Sequence, residues 1–389
     1  MTAAVESAEE LSAAAPRPSP FAVRRRDPQS AARVGELRTA HGAVQTPAFM
    51  PVATQGSVKG ITPRQLIDAG VQIILSNAYH LSLRPGVDTV EALGGLHRFM
   101  GWGGPILTDS GGFQIMSLAP LRTVTDEGVA FASHVDGARM FLTPEDVVAR
   151  QHRLGVDVLM PLDECLPAAA DPTAVARAMH RTTDWASRSA GVHVRRDRHL
   201  FGIVQGGLDA SARREHAARL AAFAFPGYAV GGLSVGEERA RTQEVAAVTA
   251  EALPEDRPRY LMGVGLPQDL LRFIAMGYDL FDCVLPTRNG RNGTCFTLNG
   301  RLNMRLARHA RDEGPIDPHC MCEVCRTFSR AYVRHLCVAG EMLGAQLASL
   351  HNLHFYLGLL GEAREHIAAG DYRPWAAERA AAIEAGERA

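Results

Sequence analysis

Short apolar runs recur along this chain, and each ends in a polar or glycine-rich turn that leads into an amphipathic stretch. Near-continuous apolar strands that alternate with helices predict a parallel sheet covered by helices. The strand-like runs span residues 71–77, 105–112, 156–164, 200–207, 228–236, 259–265 and 278–286. The helix-like stretches include residues 143–154, 209–222, 237–253 and 267–275. Seven such units favour a (β/α)8 barrel of the TIM type over an open, doubly wound sheet.

The position of the polar residues supports the barrel. Each lies where a predicted strand ends, and the carboxyl ends of barrel strands form the rim on which such enzymes place their chemistry. The residues are Asp109, Asp163, Gln205, Gly231, Gly232, Met262, Gly263 and Asp282. No G-x-G-x-x-G motif follows an early strand, so we do not expect a nucleotide cofactor.

The pattern changes after Asp282. Residues 287–340 are rich in loops, arginine and cysteine, and helical periodicity resumes around residues 328–344. We therefore predict an irregular barrel over residues 20–389, with an inserted metal-binding subdomain at 287–354. Residues 1–19 are rich in Ala, Glu, Ser and Pro, which predicts a disordered leader without the features of a secretory signal.

Composition excludes several classes of protein. The chain has 389 residues, of which 46% are hydrophobic, and no apolar run approaches the roughly 18 residues that a membrane span needs. The net charge is -1, so affinity for nucleic acid would have to come from a local patch. Seven cysteines, three of them clustered, indicate a reduced cytoplasmic compartment rather than a disulfide framework.

Three carboxylates at one rim indicate catalysis. Asp109 lies in TDSGGFQ, Asp163 in LDEC, and Asp282 inside the apolar run LFDCVL. Any one of them could simply cap the following helix. A buried carboxylate is costly unless it is paired or used, so three together favour a function. Two facing carboxylates suit glycosidic-bond chemistry, in which one attacks the anomeric carbon and the other transfers protons.

The run HCMCEVC predicts a metal site. Cys320, Cys322 and Cys325 have C-x-C-x2-C spacing, and three thiolates with one imidazole form a closed, structural zinc site. An iron–sulfur cluster would need a fourth cysteine, for which Cys337 is the nearby candidate. The candidate histidines are His319, His335, His351 and His354. Spacing favours the last two, which are one helical turn apart, without choosing between them.

A basic stretch accompanies the cysteines. Residues 285–335 contain nine arginines and four acidic residues, and several arginines have a spacing of three or four that would align them on one helix face. A solvated surface in an arginine-rich chain would look the same. Next to the predicted rim, however, the excess favours a phosphate backbone as partner. Lys59 is the only lysine, which suggests that its position requires a compact ammonium group.

Together these residues resemble the bacterial tRNA-guanine transglycosylases, also called queuine tRNA-ribosyltransferases. The resemblance runs from about residue 21 to the C-terminal helices with motif order and spacing kept. The motifs are TDSGGFQ, DEC, FGIVQGG, AVGGLSVGE, YLMGVG, FDCVLPTRNGRNG, and the C-x-C-x2-C run followed by HN. The resemblance implies exchange of guanine at the wobble position of G-U-N anticodons for 7-aminomethyl-7-deazaguanine, a step of queuosine synthesis.

The resemblance also implies roles for particular residues. Asp282 would be the nucleophile that forms a covalent enzyme–tRNA intermediate, and Asp109 the general acid and base. The base would be bound by Asp163, Gln205 and Gly232 at its edge and by Phe113 and Met262 at its faces. The implied tRNA contacts are Arg288, Arg291, Lys59 and Asp269. The implied zinc ligands are Cys320, Cys322, Cys325 and His351.

Two further implications concern specificity and assembly. Cys165 and Val235 match the bacterial type, which accepts the aminomethyl base, and the family tends to form homodimers near the zinc subdomain.

Two alternative functions remain open at the level of sequence. One is a non-catalytic, zinc-stabilised tRNA-binding subunit of the same fold, and the other is a retaining glycosidase that acts on free sugars. The arginine excess and an aromatic content of only 6% disfavour the glycosidase.

Overall fold

The computed structural model describes residues 19–114 and 122–388, and parallel strands form its core. The expected leader therefore lies outside the described residues, apart from its last residue. In chain order the strands are β1 (Phe21–Arg26), β2 (Arg33–Thr39), β3 (Gly42–Thr46), β4 (Ala48–Ala53), β5 (Ile74–Asn77), β6 (Ile106–Asp109), β7 (Arg122–Val124), β8 (Val129–Ala132), β9 (Arg139–Leu142), β10 (Val158–Leu159), β11 (His199–Leu200), β12 (Gly202–Val204), β13 (Tyr228–Val230), β14 (Arg259–Leu261), β15 (Leu280–Cys283), β16 (Thr294–Thr297) and β17 (Gly300–Asn303).

The parallel strands close into a barrel. Their hydrogen-bonded order is β11-β10-β6-β5-β4-β15-β14-β13-β12, and the two ends of this order are consecutive in the chain. Phe201 lies between β11 and β12; its N–H donates to Leu159 at 3.0 Å, and the next N–H, of Gly202, donates to Gly227 at 3.0 Å. Residues 199–204 thus act as one barrel strand that pairs with β10 on one side and with β13 on the other. The barrel therefore has eight strand positions, which confirms the expected (β/α)8 fold.

The helices cover the barrel and extend it at the C-terminus. They are α1 (Pro63–Asp68), α2 (Ala78–Leu83), α3 (Val87–Ala92), α4 (Gly95–Met100), α5 (Pro144–Leu154), α6 (Pro172–Val192), α7 (Ala210–Ala221), α8 (Arg239–Ala252), α9 (Pro267–Ala275), α10 (Leu285–Arg291), α11 (Glu323–Thr327), α12 (Arg330–Ala339), α13 (Met342–Ala369) and α14 (Tyr372–Arg388). None of the helices within the described residues has the length and apolar character of a membrane span.

Capping residues explain where the covering helices begin. Thr143 accepts the Asp146 N–H ahead of α5, and Asp146 in turn reaches back to the Thr143 backbone, which makes a capping box. Asp209 caps α7 by accepting the Ala212 N–H. All four helix-like stretches of the sequence are therefore helices, with boundaries within about two residues of those predicted.

The barrel interior is apolar, and its amino end is plugged. Met50, Leu75 and Ile203 lie in one buried cluster that also contains Phe21 of β1 and Leu37 of β2. Strands β1–β3 form an antiparallel sheet, and β3 leads directly into the amino end of β4. This sheet therefore covers the amino end of the barrel interior within the described part of the chain.

The C-terminal region continues directly from the last barrel strand. Strand β15 ends at Cys283 and α10 begins at Leu285, so Pro286 lies in the first helical turn. A Cβ on Gly290 would lie 2.6 Å from the Ser349 Cα, so only glycine permits the close packing of α10 on α13. The predicted boundary at residue 354 falls inside α13, which also packs against β4 of the barrel.

The arginine spacing was a poor guide to structure between residues 301 and 311. Arg301 lies in the β16–β17 hairpin, and Arg308 lies in a single 3₁₀ turn at Ala307–His309. These arginines therefore do not share a helix face, because their regular spacing comes from a hairpin and a turn. Arg330 and Arg334 do lie together, one turn apart on α12.

Candidate active site

The polar residues predicted from strand ends all lie at the carboxyl rim of the barrel. Asp109 is the last residue of β6 and Asp282 lies in β15, three positions away around the barrel. Asp163 follows β10, Gln205 follows β12, and Gly231 and Gly232 follow β13. The pKa of Asp109 is raised by the charges of both Asp282 and Asp163, so the three carboxylates share one electrostatic environment.

Asp282 is buried and held through one oxygen. Tyr260 donates its hydroxyl to Oδ1 at 2.6 Å, and the Gly263 N–H donates to the same atom at 2.8 Å. Burial raises the pKa of Asp282, while these two hydrogen bonds favour the charged form and oppose the rise. Within the described residues no donor is recorded for Oδ2, so this oxygen is available to a ligand in the barrel mouth.

Asp109 has a different environment. Asn77 donates its side-chain amide to Oδ2, and the Ala78 N–H donates to Oδ1 at 3.2 Å. Burial raises the pKa of Asp109 to about 8, because the two hydrogen bonds only partly offset the loss of solvent and the nearby carboxylates. At neutral pH Asp109 therefore carries a proton that it can donate.

Asp163 and Gln205 form a fixed polar pair on the far side of the rim. Gln205 donates Nε2–H to Oδ2 of Asp163 at 2.7 Å, and Ser110 donates its hydroxyl to Oδ1 at 3.3 Å. Burial raises the pKa of Asp163 to about 6, which its hydrogen bonds only partly counteract. A Cβ on Gly112 would lie 2.9 Å from Oδ1 of Asp163, so this glycine keeps the approach clear.

The Gly231–Gly232 loop runs against the side chain of Gln205. Gly232 has a φ of +66°, and a Cβ there would lie 2.4 Å from Gln205 Oε1. Burial raises the pKa of the half-buried Cys165 thiol to about 12, and the nearby Gly232 backbone partly opposes this rise. The backbone of Gly232 thus faces the same space as Gln205 and Cys165.

Phe113 and Met262 lie at opposite sides of the mouth. Phe113 follows β6 and is 53% exposed, whereas Met262 follows β14 and is half-buried. Strands β6 and β14 are four positions apart in a barrel of eight, which places their carboxyl ends across from each other. The exposed phenyl ring is therefore available to stack on a planar ligand.

The basic residues implied in tRNA binding differ in how far their side chains are exposed. Arg288 on α10 is exposed, and Arg291, one turn later, is half-buried with a lone Nη1 that has no hydrogen-bond partner in the described parts of the chain. Burial and the charge of Arg288 lower the pKa of Arg291. Lys59 is exposed between β4 and α1, close enough to His80 to lower its pKa.

Asp269 is placed differently from the other implied RNA contacts. It is only 7% exposed, and both of its oxygens accept hydrogen bonds from Arg239, at 3.1 and 2.5 Å. Arg272 and Glu384 complete this ion-pair network between α8, α9 and α14. The carboxylate thus takes part in packing α8, α9 and α14 together, and the tRNA contact that the resemblance implies for Asp269 stays a prediction.

The predicted metal ligands converge. The sulfur atoms of Cys320, Cys322 and Cys325 and a ring nitrogen of His351 all lie within 4.8 Å of one another. Nδ1 of His351 is 3.7 Å from Cys322 Sγ and 3.3 Å from Cys325 Sγ. Tetrahedral zinc would separate such atoms by roughly 3.6 Å, so the four residues fit a metal ion of this kind.

The other nitrogen of His351 orients the ring. Nε2–H donates to the Phe296 carbonyl at 2.8 Å, so Nδ1 is the unprotonated nitrogen that faces the thiols. Asn352 accepts the Phe296 N–H at 2.8 Å and so fixes the strand that carries this carbonyl. His354 is 3.8 Å from Cys320 but lies outside the group of four, as does Cys337.

Several residues that build the site carried no signal in the sequence. Tyr260 lies inside an apolar strand, and Arg213 and His216 lie on a helix, where a polar residue is ordinary. Asn77 could have been found, since it ends the run VQIILSN in the same way that Asp109 ends its own strand. The sequence thus identifies polar residues at strand ends, but it does not identify the residues that hydrogen-bond to them.

A closed parallel barrel with buried carboxylates at its carboxyl rim, joined to a three-cysteine, one-histidine cluster, defines a barrel enzyme with a metal-binding C-terminal region. Comparison with known proteins specifies the family. The model of the family described as queuine tRNA-ribosyltransferase matches residues 27–385. The chain belongs to this family, and it is accordingly a pentosyltransferase.

Individual relatives agree over nearly their whole length. A queuine tRNA-ribosyltransferase from Solidesulfovibrio magneticus is 52% identical over 358 residues, which is 92% of this chain and 96% of the relative. Those from Symbiobacterium thermophilum and Desulforudis audaxviator are 52% and 54% identical, over 94% and 90% of this chain and 92% and 94% of the relatives.

Proposed function

We propose that the protein exchanges guanine at the wobble position of tRNAs with a G-U-N anticodon for 7-aminomethyl-7-deazaguanine. One observation carries the proposal: two carboxyl groups share the rim in different hydrogen-bonding environments. Burial raises the pKa of both groups, but hydrogen bonds from Tyr260 and Gly263 oppose the rise at Asp282, whereas the pKa of Asp109 reaches about 8. Neighbouring carboxyl groups in contrasting environments suit a nucleophile and a proton donor.

The exchange proceeds through two displacements at the ribose anomeric carbon. Oδ2 of Asp282 attacks C1′, the bond from C1′ to N9 of guanine breaks, and Asp109 gives its proton to the departing base. The incoming base then loses a proton to Asp109 and attacks C1′, which breaks the ester to Asp282. Two inversions give net retention, as in retaining glycosidases.

Exchange instead of hydrolysis requires that water be kept from the covalent intermediate. The plugged amino end leaves the carboxyl rim as the approach, and a base stacked between Phe113 and Met262 would cover it. The edge of such a base would form hydrogen bonds with the carboxyl group of Asp163, the amide of Gln205 and the Gly232 N–H. Cys165 lies beside this set, and we propose that it and Val235 admit the aminomethyl group.

The anticodon loop would be held by basic residues close to the nucleophile. Arg288 and Arg291 lie on α10, which begins two residues after β15 ends, and the exposed guanidinium of Arg288 is a group that a phosphate would pair with. Lys59 enters the rim from the β4–α1 connection. A substrate of this kind places the protein in the cytoplasm, where tRNA is found.

We assign zinc to the cluster of Cys320, Cys322, Cys325 and His351. Four protein ligands leave no position for water, so the ion would be structural, and it would tie the start of α11 to α13. Residues 287–354 then form a metal-stabilised, tRNA-contacting subdomain whose last helix continues into the barrel layer.

We also propose that two chains form a homodimer beside this subdomain. A patch of exposed apolar side chains occupies α12 and the start of α13. Exposed apolar patches of this kind mark sites of protein–protein contact. The members of this patch are Tyr332, Val338, Met342 and Leu343, which are 40%, 53%, 88% and 39% exposed. A Met342→Glu change should convert the dimer to a monomer by light scattering; a wild-type monomer would contradict the assignment.

The function is tested by incubating the protein with labelled guanine and unmodified tRNA that carries a G-U-N anticodon. Label should enter this tRNA, should not enter a tRNA whose wobble base is not guanine, and should be displaced by added 7-aminomethyl-7-deazaguanine. A protein that binds the tRNA but incorporates no label would instead be a non-catalytic tRNA-binding subunit, and the proposed function would be wrong.

A further inference from the structure

Helix α7 carries two fully buried polar side chains on the face that it turns towards the rim. Arg213 and His216 are both 0% exposed. Within the described residues Arg213 forms no ion pair with a carboxylate. A buried guanidinium without such a partner is costly unless its N–H groups are satisfied in another way.

The guanidinium of Arg213 is satisfied by backbone carbonyls from two neighbouring rim loops. Nε donates to Gly207 at 2.9 Å, and Nη1 donates to Gly231 at 2.8 Å and to Val204 at 3.3 Å. Nη2 donates to Gly232 at 3.2 Å. One planar side chain therefore joins the loop after β12, which carries Gln205, to the loop after β13.

These contacts determine where the Gly232 N–H points. In a trans peptide the C=O and the N–H lie on opposite sides, so a Gly231 carbonyl turned to Arg213 turns the Gly232 N–H away from it. On that far side the N–H meets the thiol of Cys165, a weak acceptor that a ligand oxygen could replace. Gly232 has little steric restriction of its own, so an outside contact is needed to fix its orientation.

His216 supports the same pocket one helical turn later. The Gln205 N–H donates to His216 Nδ1 at 2.8 Å, and Nε2 of the same ring is 3.1 Å from the Thr183 hydroxyl. Helix α7 thus holds both the Gln205 backbone and the Gly231–Gly232 backbone from behind.

We propose that Arg213 is a positioning residue that makes the pocket selective for bases with a carbonyl oxygen on the edge that faces Gly232. This inference rests on the proposed function, because it assigns the specificity of the same site. With the Gly232 N–H fixed as a donor beside the Gln205 amide, a base that lacks this oxygen would leave that N–H with only the weak thiol acceptor. A loss of this kind discriminates strongly between otherwise similar ligands.

The planar fork of arginine is the feature that matters. Lysine keeps a positive charge and much of the length, but its compact ammonium group cannot reach four carbonyls in a fixed plane. Arg213→Lys therefore retains the buried positive charge but removes the planar set of N–H donors that reaches the four carbonyls. Arg219→Lys is the matched control, since Arg219 lies on the same helix with a side chain that is 46% exposed.

The experiment measures guanine exchange with each variant at saturating tRNA and then at saturating guanine. Competition by 2-aminopurine, which lacks the carbonyl oxygen, gives the selectivity. For Arg213→Lys we expect KM for guanine to rise about tenfold or more and the preference for guanine over 2-aminopurine to fall about tenfold. KM for tRNA should stay within roughly twofold, and Arg219→Lys should match wild type.

Other outcomes overturn the inference. An Arg213→Lys protein with unchanged guanine KM and selectivity would show that the guanidinium does not position the pocket. A variant without a native melting transition, or with both KM values raised in parallel, would make Arg213 a residue of general stability. If wild type itself exchanges no guanine, the proposed function fails first, which is a distinguishable result.

Discussion

At the scale of single residues, the site depends on how each carboxylate is solvated and paired. Asp282 receives two hydrogen bonds on one oxygen, whereas Asp109 has a pKa raised by burial to about 8. Strand-end polarity in the sequence was enough to find both residues, as well as Asp163 and Gln205. It could not find Tyr260, since a tyrosine in a strand is ordinary until its hydroxyl is seen to reach a carboxylate.

The raised pKa of Asp109 predicts a pH dependence. Asp109 must be protonated to assist the departing base, so activity should fall as the pH rises through about 8. The Asn77 amide favours the ionised form of Asp109, and removing it should raise the pKa further. Asn77→Ser keeps an oxygen able to cap α2 but loses this donor, so the alkaline limb of the kcat/KM profile should move up by roughly half a unit or more.

The corresponding control is Asn299→Ser, which changes an exposed asparagine in the β16–β17 turn and should leave the profile where it is in wild type. An alkaline limb that stays fixed or moves to lower pH in Asn77→Ser would contradict the assignment of Asp109 as the proton donor.

At the scale of elements, the strand–helix alternation predicted the barrel, but one barrel strand was missed. Strand β4, Ala48–Ala53, contains Pro51, and proline within a run argues against a central strand. In the structure Pro51 is the last residue of β4 to pair with β15, opposite Cys283, and pairing with β5 begins at the next residue, Val52. The antiparallel sheets β1–β3 and β7–β9 were also missed, since each depends on pairing that local periodicity does not reveal.

The metal cluster gives a prediction at this scale, because α13 carries two histidines one turn apart. His351 points Nδ1 at the thiols and is held by the Phe296 carbonyl, whereas His354 lies outside the group of four. His351→Ala should lose bound zinc, measured by elemental analysis, and should melt at a clearly lower temperature. His354→Ala is the matched control and should retain about one zinc per chain. Zinc retained by His351→Ala, or lost only in His354→Ala, would reverse the assignment.

At the scale of the whole molecule, a chain with a net charge of -1 must bind a polyanion through a local surface. The barrel provides one, because α10 begins immediately after the strand that carries Asp282. Sequence alone found the excess of arginine but not its arrangement. The ion pairs of Asp269 with Arg239 and Arg272 could not be predicted from the sequence, because they become visible only once α8, α9 and α14 are packed together.

The surface predicts how salt should affect tRNA binding. The double change Arg288→Ala and Arg291→Ala should weaken binding by about tenfold at moderate salt and reduce the slope of log affinity against log salt by roughly one to two. Arg196→Ala is the control, since Arg196 is exposed ahead of β11 at the amino end of the barrel. A salt slope equal to that of wild type in the double variant would exclude these arginines from the phosphate contacts.

The proposed covalent bond between Asp282 and tRNA is tested most directly by looking for the adduct. Wild-type protein mixed with G-U-N tRNA without free base, then denatured, should give a protein–tRNA species on a gel that disappears when guanine is added first. Asp282→Asn should give none, while Asp256→Asn, at a 69% exposed site, should behave as wild type. An adduct of normal yield in Asp282→Asn would contradict the account.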